Sequence, residues 1–402
     1  MVIVVLAGGN DQIALICELK KRGHEVILVD YFQNPPAKPY ADKHIVASTL
    51  DPDAVRKAVV ENHAQMLCTA CTDQALLVVA QISEELGLPC YLSYEKALQV
   101  TNKSQMKSLM EEYGIPTSRF IVTDNPSPGQ FDNLHCPLVV KPVDCNSSKG
   151  VFKVESHQDL SPYVEKAIGY SRTKTAVVEE YVAGDEISAD FFIDGHTAKL
   201  LCATRSKKVK NVSSFTIIQS QYPALSPEQE MAVQEIGQKI ADGFHISNAP
   251  LLVQLIAGQD TMSVLEFSAR MGGGSKHKLI EVLTGVNIME EYVKLLFGEK
   301  PTIAPVKRVN YAASAFIYCQ PGTIAGVSHL DELQAKGVID HHFMYKTPGM
   351  SITQAMYSGD RAAGYIATAA TQEELDRKLK EADDTIKVLD DTGKDMMIHG
   401  WI

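Results

Sequence analysis

Long apolar runs are missing from this chain of 402 residues. No stretch approaches the ~20 consecutive apolar residues that a membrane-spanning helix needs. The opening Met1-Val-Ile-Val-Val-Leu-Ala-Gly-Gly lacks a basic flank and breaks at Gly8. It reads as a buried strand rather than a signal peptide. An excess of positive charge is also missing: 38 Lys and Arg face 49 Asp and Glu, a formal net charge of -11. Such a surface repels phosphate backbones and anionic lipid, so neither nucleic acid nor membrane is expected as a partner. A local basic pocket for a small anion remains compatible with it. There is no disulfide framework, because the eight cysteines are scattered at 17, 68, 71, 90, 136, 145, 202 and 319. A chain of this size does not need one, and a reducing cytoplasm is the expected compartment. Internal repeats and low-complexity tracts are absent.

What is present is ordinary for a globular protein. Hydrophobic residues make up 45% and charged residues 22%, which excludes disordered, collagen-like and coiled-coil chains. The length predicts two or three domains. Strands and helices alternate over the first hundred residues. Strands are predicted at Val2–Leu6, Glu25–Asp30 and Met66–Thr69, with helices at Asp11–Arg22, Val55–Glu61 and Ala75–Leu86. This order predicts a parallel sheet covered by helices. A helix over about 103–113 follows. From Pro137 the strands become alternating and hairpin-like, which predicts an antiparallel α+β region. Ser226-Pro227-Glu228-Gln229 is a capping box that opens a helix to about Gly243. One helix is predicted from Gly274 to near Gly298, and another opens at Thr371.

Two motifs are decoys. Gly8-Gly9 ends the first strand and Asp30 the second, which mimics a dinucleotide layout. A nicotinamide oxidoreductase would rest on these three residues. The full GxGxxG is missing, since Asn10, Asp11 and Gln12 follow, so a tight strand-to-helix turn is expected. Cys68-Thr-Ala-Cys71 lacks the second ligand pair of a structural zinc site. An ordinary strand-to-helix loop is expected there, with Asp73 as the helix N-cap.

Other residues carry more chemistry. Lys141 stands in Pro137-Leu-Val-Val-Lys-Pro142, a buried-looking strand. A buried lysine is costly unless it meets an anion. Asp144-Cys-Asn-Ser-Ser-Lys-Gly150 is a small polar loop of the kind whose N–H groups cradle phosphate. Glu186, Ser188 and Asp190 share one strand face, which either lines a ligand or meets solvent. In Ser263-Val-Leu-Glu-Phe-Ser-Ala-Arg270, Leu265, Phe267 and Ala269 are expected to share an apolar face, with Glu266, Ser268 and Arg270 on the other. Gln254 is the one polar residue of Leu251–Ile256. If the two strands pair, Gln254 and Glu266 can hold one hard cation through oxygen. The bland alternative is a surface Glu266–Arg270 pair beside a buried amide.

In this order, Lys103, Lys141, the 144–150 loop, Glu179–Glu186, Gln254, Glu266-x-Ser268-x-Arg270 and Gly272–Gly274 resemble the ATP-grasp superfamily. The resemblance covers most of the chain. It implies an α/β and α+β protein with the ATP-grasp fold. Residues 1–97 would be the parallel pre-ATP-grasp domain and 98–299 the ATP-grasp domain, with a mobile lid at about 115–185. Residues 300–402 would be a small C-terminal α+β domain. It implies ATP as cosubstrate, with Lys103 and Lys141 on its phosphates and Ser147, Ser148, Lys149 and Gly150 folding over them. Glu179, Glu180 and Val182 would meet the adenine edge, mostly through backbone, and Glu186 the ribose.

Gln254, Glu266 and Ser268 would hold one or two Mg²⁺ ions, with Mn²⁺ as a substitute. Ser268 stands where such enzymes usually carry Asn, and a hydroxyl is the poorer ligand. Arg270, with Arg205 and Lys207, would neutralise the reacting groups. Gly272, Gly273, Gly274 and Ser275 would form an anion-binding turn for substrate. The implied activity is a carboxylate–amine ligase working through an acyl phosphate on an amino acid or small carboxylic acid, with an amine as second substrate. A purine-pathway ligase similar to glycinamide ribonucleotide synthetase and a bicarbonate-using carboxylase similar to biotin carboxylase are alternatives. A nucleotide-binding module without catalysis is the non-enzymatic one. A homodimer is common among proteins that look like this.

Overall fold

The computed structural model describes residues 1–127, 129–145, 150–209, 216–259, 261–353 and 358–401. The N-terminal unit contains β1 (Val2–Leu6), α1 (Asn10–Lys21), β2 (Glu25–Asp30), β3 (Lys43–Val46), α2 (Pro52–Glu61), β4 (Met66–Cys68) and α3 (Asp73–Leu86). Its sheet has the order β3-β2-β1-β4 and is parallel throughout, as the alternation predicts. Ile3 and Val5 of β1 pack with Leu15, Ile16 and Leu19 of α1. Val4 and Leu6 pack on the other face with Val55, Val59 and Val79. Burial on both faces is why β1 reads as a continuous apolar run rather than an alternating one. The edge strand β3 has no such signal, because it carries Lys43 and His44 and no residue in it is buried.

Short helices α4 (Tyr94–Gln99) and α5 (Lys103–Glu112) lead into a second layer. It consists of β5 (Phe120–Thr123), β6 (Leu138–Pro142), β7 (Phe152–Val154), α6 (Leu160–Tyr170) and β8 (Ala176–Glu180). The four strands form an antiparallel sheet of order β5-β8-β6-β7. Leu138, Val140 and Val178 pack against Leu160 and Val164 of α6. The alternation therefore turns Lys141 and Glu179 to the opposite face.

The largest sheet is built from β9 (Asp185–Asp194), β10 (Thr197–Lys208), β11 (Ile217–Tyr222), α7 (Pro227–Gly243), β12 (Ala249–Ala257), β13 (Met262–Ser268), α8 (Lys276–Thr284), α9 (Ile288–Leu296) and β14 (Tyr311–Ile317). The chain ends with β15 (Gly322–Thr323), β16 (Gly326–Ser328), α10 (Leu330–Ala335), β17 (His341–Met344), β18 (Ser351–Ile352), β19 (Ala363–Ala369), α11 (Gln372–Thr385) and β20 (Lys387–Leu389). Eight strands join in the order β13-β12-β9-β10-β11-β14-β19-β17, so one sheet runs across residue 300. Ser226 and Gln229 form the expected capping box at α7. The single helix predicted over 274–298 is two, α8 and α9, because Gly285 takes φ +76 and ends the first. A side chain is disfavoured at that angle, and a Cβ there would also meet the Arg308 guanidinium.

Strands β12 and β13 do pair, with Gln254 opposite Glu266. The register then slips, so Leu255 faces Val264 and Leu265 is left over as a bulge. Val264, not Leu265, joins Phe267 and Ala269 in the core, which corrects the simple alternation expected there. Among the described residues no helix is long and apolar enough to cross a membrane.

Candidate active site

A cavity of about 510 Å³ opens where the ends of β1, β2 and β4 meet the large sheet. Glu186, Gln254 and Glu266 line it from the sheet, and Arg270, Lys276 and Arg361 bring positive charge. The decoys are resolved at its rim. Asp30 accepts from the Gly8 amide at 2.6 Å and the Phe32 amide at 2.8 Å, so its carboxylate closes the turn. Cys68 is buried at the end of β4 and Cys71 lies in the loop that leads to α3, as expected of a strand-to-helix connection. Asp73 is not the N-cap of α3. Thr72 takes that position, and Asp73 forks with Arg270, Nε to Oδ1 at 2.6 Å and Nη2 to Oδ2 at 2.5 Å. Burial opposes the Asp73 charge, yet Arg270 prevails and holds its carboxyl below the usual range. A Glu266–Arg270 surface pair is thereby excluded: the partner of Arg270 comes from the N-terminal unit.

Glu266 is half-buried and pairs instead with Lys103, at 2.9 Å. Lys103, at the start of α5, also donates to the Cys145 carbonyl at 2.8 Å. Gln254 lies directly across from Glu266, so a carboxylate and an amide oxygen stand side by side on the cavity wall. Ser268 is nearly inaccessible and adds to the forces that keep Asp73 ionised. Glu186 lines the cavity and is held by Lys208 at 2.6 Å. The face of β9 that carries Glu186 and Ser188 thus meets the cavity rather than solvent, while Asp190 is buried beneath it.

Lys141 is buried and meets Glu179 at 2.6 Å. Glu179 also meets Lys107, at 2.5 Å, a residue that carried no motif in the sequence. Its spacing of one helical turn from Lys103 was the only signal available. Burial raises the Glu179 carboxyl, but Lys141 and Lys107 outweigh it and bring it from 4.5 down to about 2. A depressed carboxyl stabilises the fold above its unfolded pKa and loses that contribution as pH falls through the folded one. Glu179 should therefore supply roughly 3 kcal/mol above about pH 5, lost between about pH 4.5 and 2. Denaturation midpoints measured against pH should fall more steeply in that window for the parent than for Glu179→Gln. Equal slopes would show that the carboxyl is not paired.

Several expected contacts are altered by the structure. The Glu179 side chain is committed to two lysines, and its backbone lies inside the central strand β8. Glu180 accepts from the His135 amide at 2.9 Å. The Glu180 and Tyr181 amides donate to the carbonyls of Arg119 and Pro137. Val182 is the first residue beyond that ladder. Ser147, Ser148 and Lys149 lie outside the described residues. Gly150 takes φ +75 with the Tyr170 ring where a Cβ would stand, which only glycine accommodates.

The Gly272–Ser275 turn binds anions, but they are the chain's own. Asp190 takes the Gly272 amide at 3.0 Å, and Asp11 takes those of Gly274 and Ser275 at 3.2 and 2.8 Å. Arg205 and Lys207 are not brought to the cavity. Ser206 lines it, so its neighbours on β10 project the other way. Arg205 meets Asp185 at 2.9 Å in an exposed pair. Lys207 lines a separate groove with Gln219, Asp376 and His399. Arg361 takes the place left by both. It is largely buried, lies 3.5 Å over the Phe316 ring and donates to the Tyr318 hydroxyl. Among the described residues it forms no ion pair.

Three family models match along the chain. Residues 101–274 match the phosphoribosylglycinamide synthetase ATP-grasp (A) domain. Residues 315–389 match the L-amino acid ligase C-terminal domain 2, and 20–90 the ATP-grasp N-terminal domain. The chain is 24% identical over 316 residues to the phosphoribosylamine–glycine ligase of Thermococcus kodakarensis, covering 73% of this chain and 72% of that one. It is 28% identical over 316 residues to the trifunctional purine biosynthetic protein adenosine-3 of Gallus gallus. That match covers 68% of this chain but spans only 31% of the chicken protein. The L-amino acid ligase structure from Bacillus licheniformis shares the fold, with a TM-score of 0.78 at 22% identity over 97% of this chain and 98% of that one.

Proposed function

We propose, from the premise that the chain belongs to the ATP-grasp superfamily of ligases, that it joins an amino acid or other small carboxylate to an amine at the expense of ATP. One observation carries this reading. The cavity is lined by the oxygen pair Gln254 and Glu266 and by four cations, Arg270, Lys276, Lys346 and Arg361. A reacting carboxylate and a phosphoryl group both need positive charge, and their like charges otherwise repel. The match to an L-amino acid ligase domain over 315–389, which contains Arg361, supports an amino acid as the carboxylate.

In this reading a carboxylate oxygen attacks the γ-phosphorus of ATP, the bond to the bridging oxygen breaks and ADP leaves. The amine nitrogen then attacks the acyl carbon, the C–O bond to phosphate breaks, and phosphate and a proton are released. The protein's share is positioning and charge neutralisation. Lys103 and Lys141 hold nucleotide phosphates, with Gly150 beside them, and Glu186 holds the ribose. Val182 lies at the adenine edge. Gln254 and Glu266, with Ser268 behind them, fit a hard cation that takes few protein oxygens. Mg²⁺ or Mn²⁺ held there supplies charge neutralisation of the phosphates. Arg270, locked by Asp73, presents a fixed guanidinium to the reacting carboxylate. A cytoplasmic enzyme, active as a monomer or homodimer, is consistent with this assignment.

Phosphate release should be screened over pairs of amino acids and amines with ATP and Mg²⁺, with hydroxylamine added to trap the acyl phosphate as a hydroxamate. Release that needs both partners, and a hydroxamate that needs only the carboxylate, supports the proposal. Turnover with bicarbonate and no amino acid or amine would replace it with a carboxylase activity, whereas turnover only with glycine and phosphoribosylamine would narrow it to that one pair. Once a carboxylate is identified, Arg361→Met should raise its KM by about 10- to 100-fold, the worth of a charge-assisted contact, and leave the KM for ATP near the parent value. An unchanged carboxylate KM would remove Arg361 from the site.

A further inference from the structure

Three charged side chains meet in one desolvated spot behind the nucleotide lysine. The side chains of Lys107, Glu179 and Lys141 are 0%, 3% and 7% exposed. Glu179 divides its two oxygens. Oε2 takes Lys107 at 2.5 Å and the Ser118 hydroxyl at 3.0 Å, and Oε1 takes Lys141 at 2.6 Å. The ammonium of Lys107 has three hydrogens and three partners: Glu179, Thr117 at 2.7 Å and Ser118 at 3.1 Å. Thr117 is itself anchored to the Val264 carbonyl at 2.8 Å, and the Phe120 ring lies 5.3 Å from the Lys107 nitrogen. Lys107 is fixed. Lys141 differs from it, because among the described residues its ammonium meets Glu179 alone, with no hydroxyl partner. Lys141 also stands near the end of β6.

Two cations and one anion leave an uncompensated positive charge in a place that solvates it poorly. Such a cluster calls for a second anion. Lys107 cannot turn to meet one, whereas Lys141 can. Resting on the assignment of Lys141 to a nucleotide phosphate, we infer that Lys107 is a positioning residue that neutralises Glu179 and so releases Lys141 to bind the phosphate. Without Lys107, Glu179 and Lys141 form a closed one-to-one pair. Drawing Lys141 to a phosphate then strands a buried carboxylate, and the phosphate contact loses most of its worth. Adenosine carries no charge, so it supplies no second anion for Lys141.

The test compares binding of adenosine and of MgADP to the full chain by calorimetry. Lys107→Met, which keeps length and leaves a neutral pair behind, should hold adenosine affinity within about threefold and weaken MgADP by about 10- to 100-fold. Lys107→Met combined with Glu179→Gln should recover MgADP binding to within several-fold of the parent, because an amide no longer holds Lys141. Should Lys107→Met fail to fold, Lys107→Gln carries the same test. Equal losses for adenosine and MgADP, or a double variant no better than the single one, would overturn the inference and leave a structural role. A parent that binds neither ligand would instead remove the nucleotide site itself.

Discussion

Glu266→Gln should leave a folded protein that has lost most of its Mg²⁺-dependent phosphate release. Glu266 stands beside Gln254 across β12 and β13, and the two line the cavity together. A hard cation there depends on the one formal negative charge of the pair, and an amide is a far weaker ligand. A fall of about 10²–10³-fold in turnover is expected, comparable to the loss of one well-placed electrostatic contact in other enzymes. The fold should weaken only modestly, because a glutamine oxygen still accepts from Lys103, the present partner at 2.9 Å. About 1–2 kcal/mol is expected, the difference between a charged and a neutral hydrogen bond. Phosphate release followed across a Mg²⁺ titration, with thermal melts of the same samples, reads both quantities. A parent-like titration for Glu266→Gln would show that this face is not catalytic.

Arg270→Met should have the larger effect on stability. The guanidinium forks onto Asp73 through two bonds of 2.6 and 2.5 Å, and each side chain is only 14% exposed. Removing one member strands the other charge in a poorly solvated place, which costs about 3–5 kcal/mol. Asp73→Asn should cost a similar amount for the same reason. Asp73→Leu combined with Arg270→Met should cost less than the sum of the single changes, because no unpaired charge remains. Arg270→Lys should be intermediate, since an ammonium cannot reproduce the fork. Chemical denaturation of the four variants measures the cycle. Single changes that each cost under about 1 kcal/mol, and that add, would mean that the pair behaves as a solvated one.

The residues around this pair show which properties were local. Continuous apolar runs and the Ser226 capping box depend on neighbours within one turn or one strand, and they could be read directly. The same holds for the parallel first sheet and for the antiparallel region after Pro137. The order of Lys103, Lys141, Gln254, Glu266 and Arg270 was also visible, because each sits at a characteristic place on its own element. Partners were not visible, because pairing is decided by contacts between elements far apart in the chain. Arg270 and Asp73 are separated by 197 positions. Asp11 and the Gly274–Ser275 turn are likewise brought together from 263 and 264 positions apart. A one-residue bulge at Leu265 put Val264 in the core, and no composition rule fixes a bulge. Arg205 and Lys207 read as site cations by type, but strand alternation turned them away and gave the cavity Ser206. Arg361 read as an unremarked arginine, until β19 laid its neighbours beside β14 and carried it to the same wall. Residue type and spacing thus set the fold class and the candidate nucleotide-binding residues. Register and the docking of distant elements decided which charges meet, because a buried charge persists only where the folded chain supplies its partner.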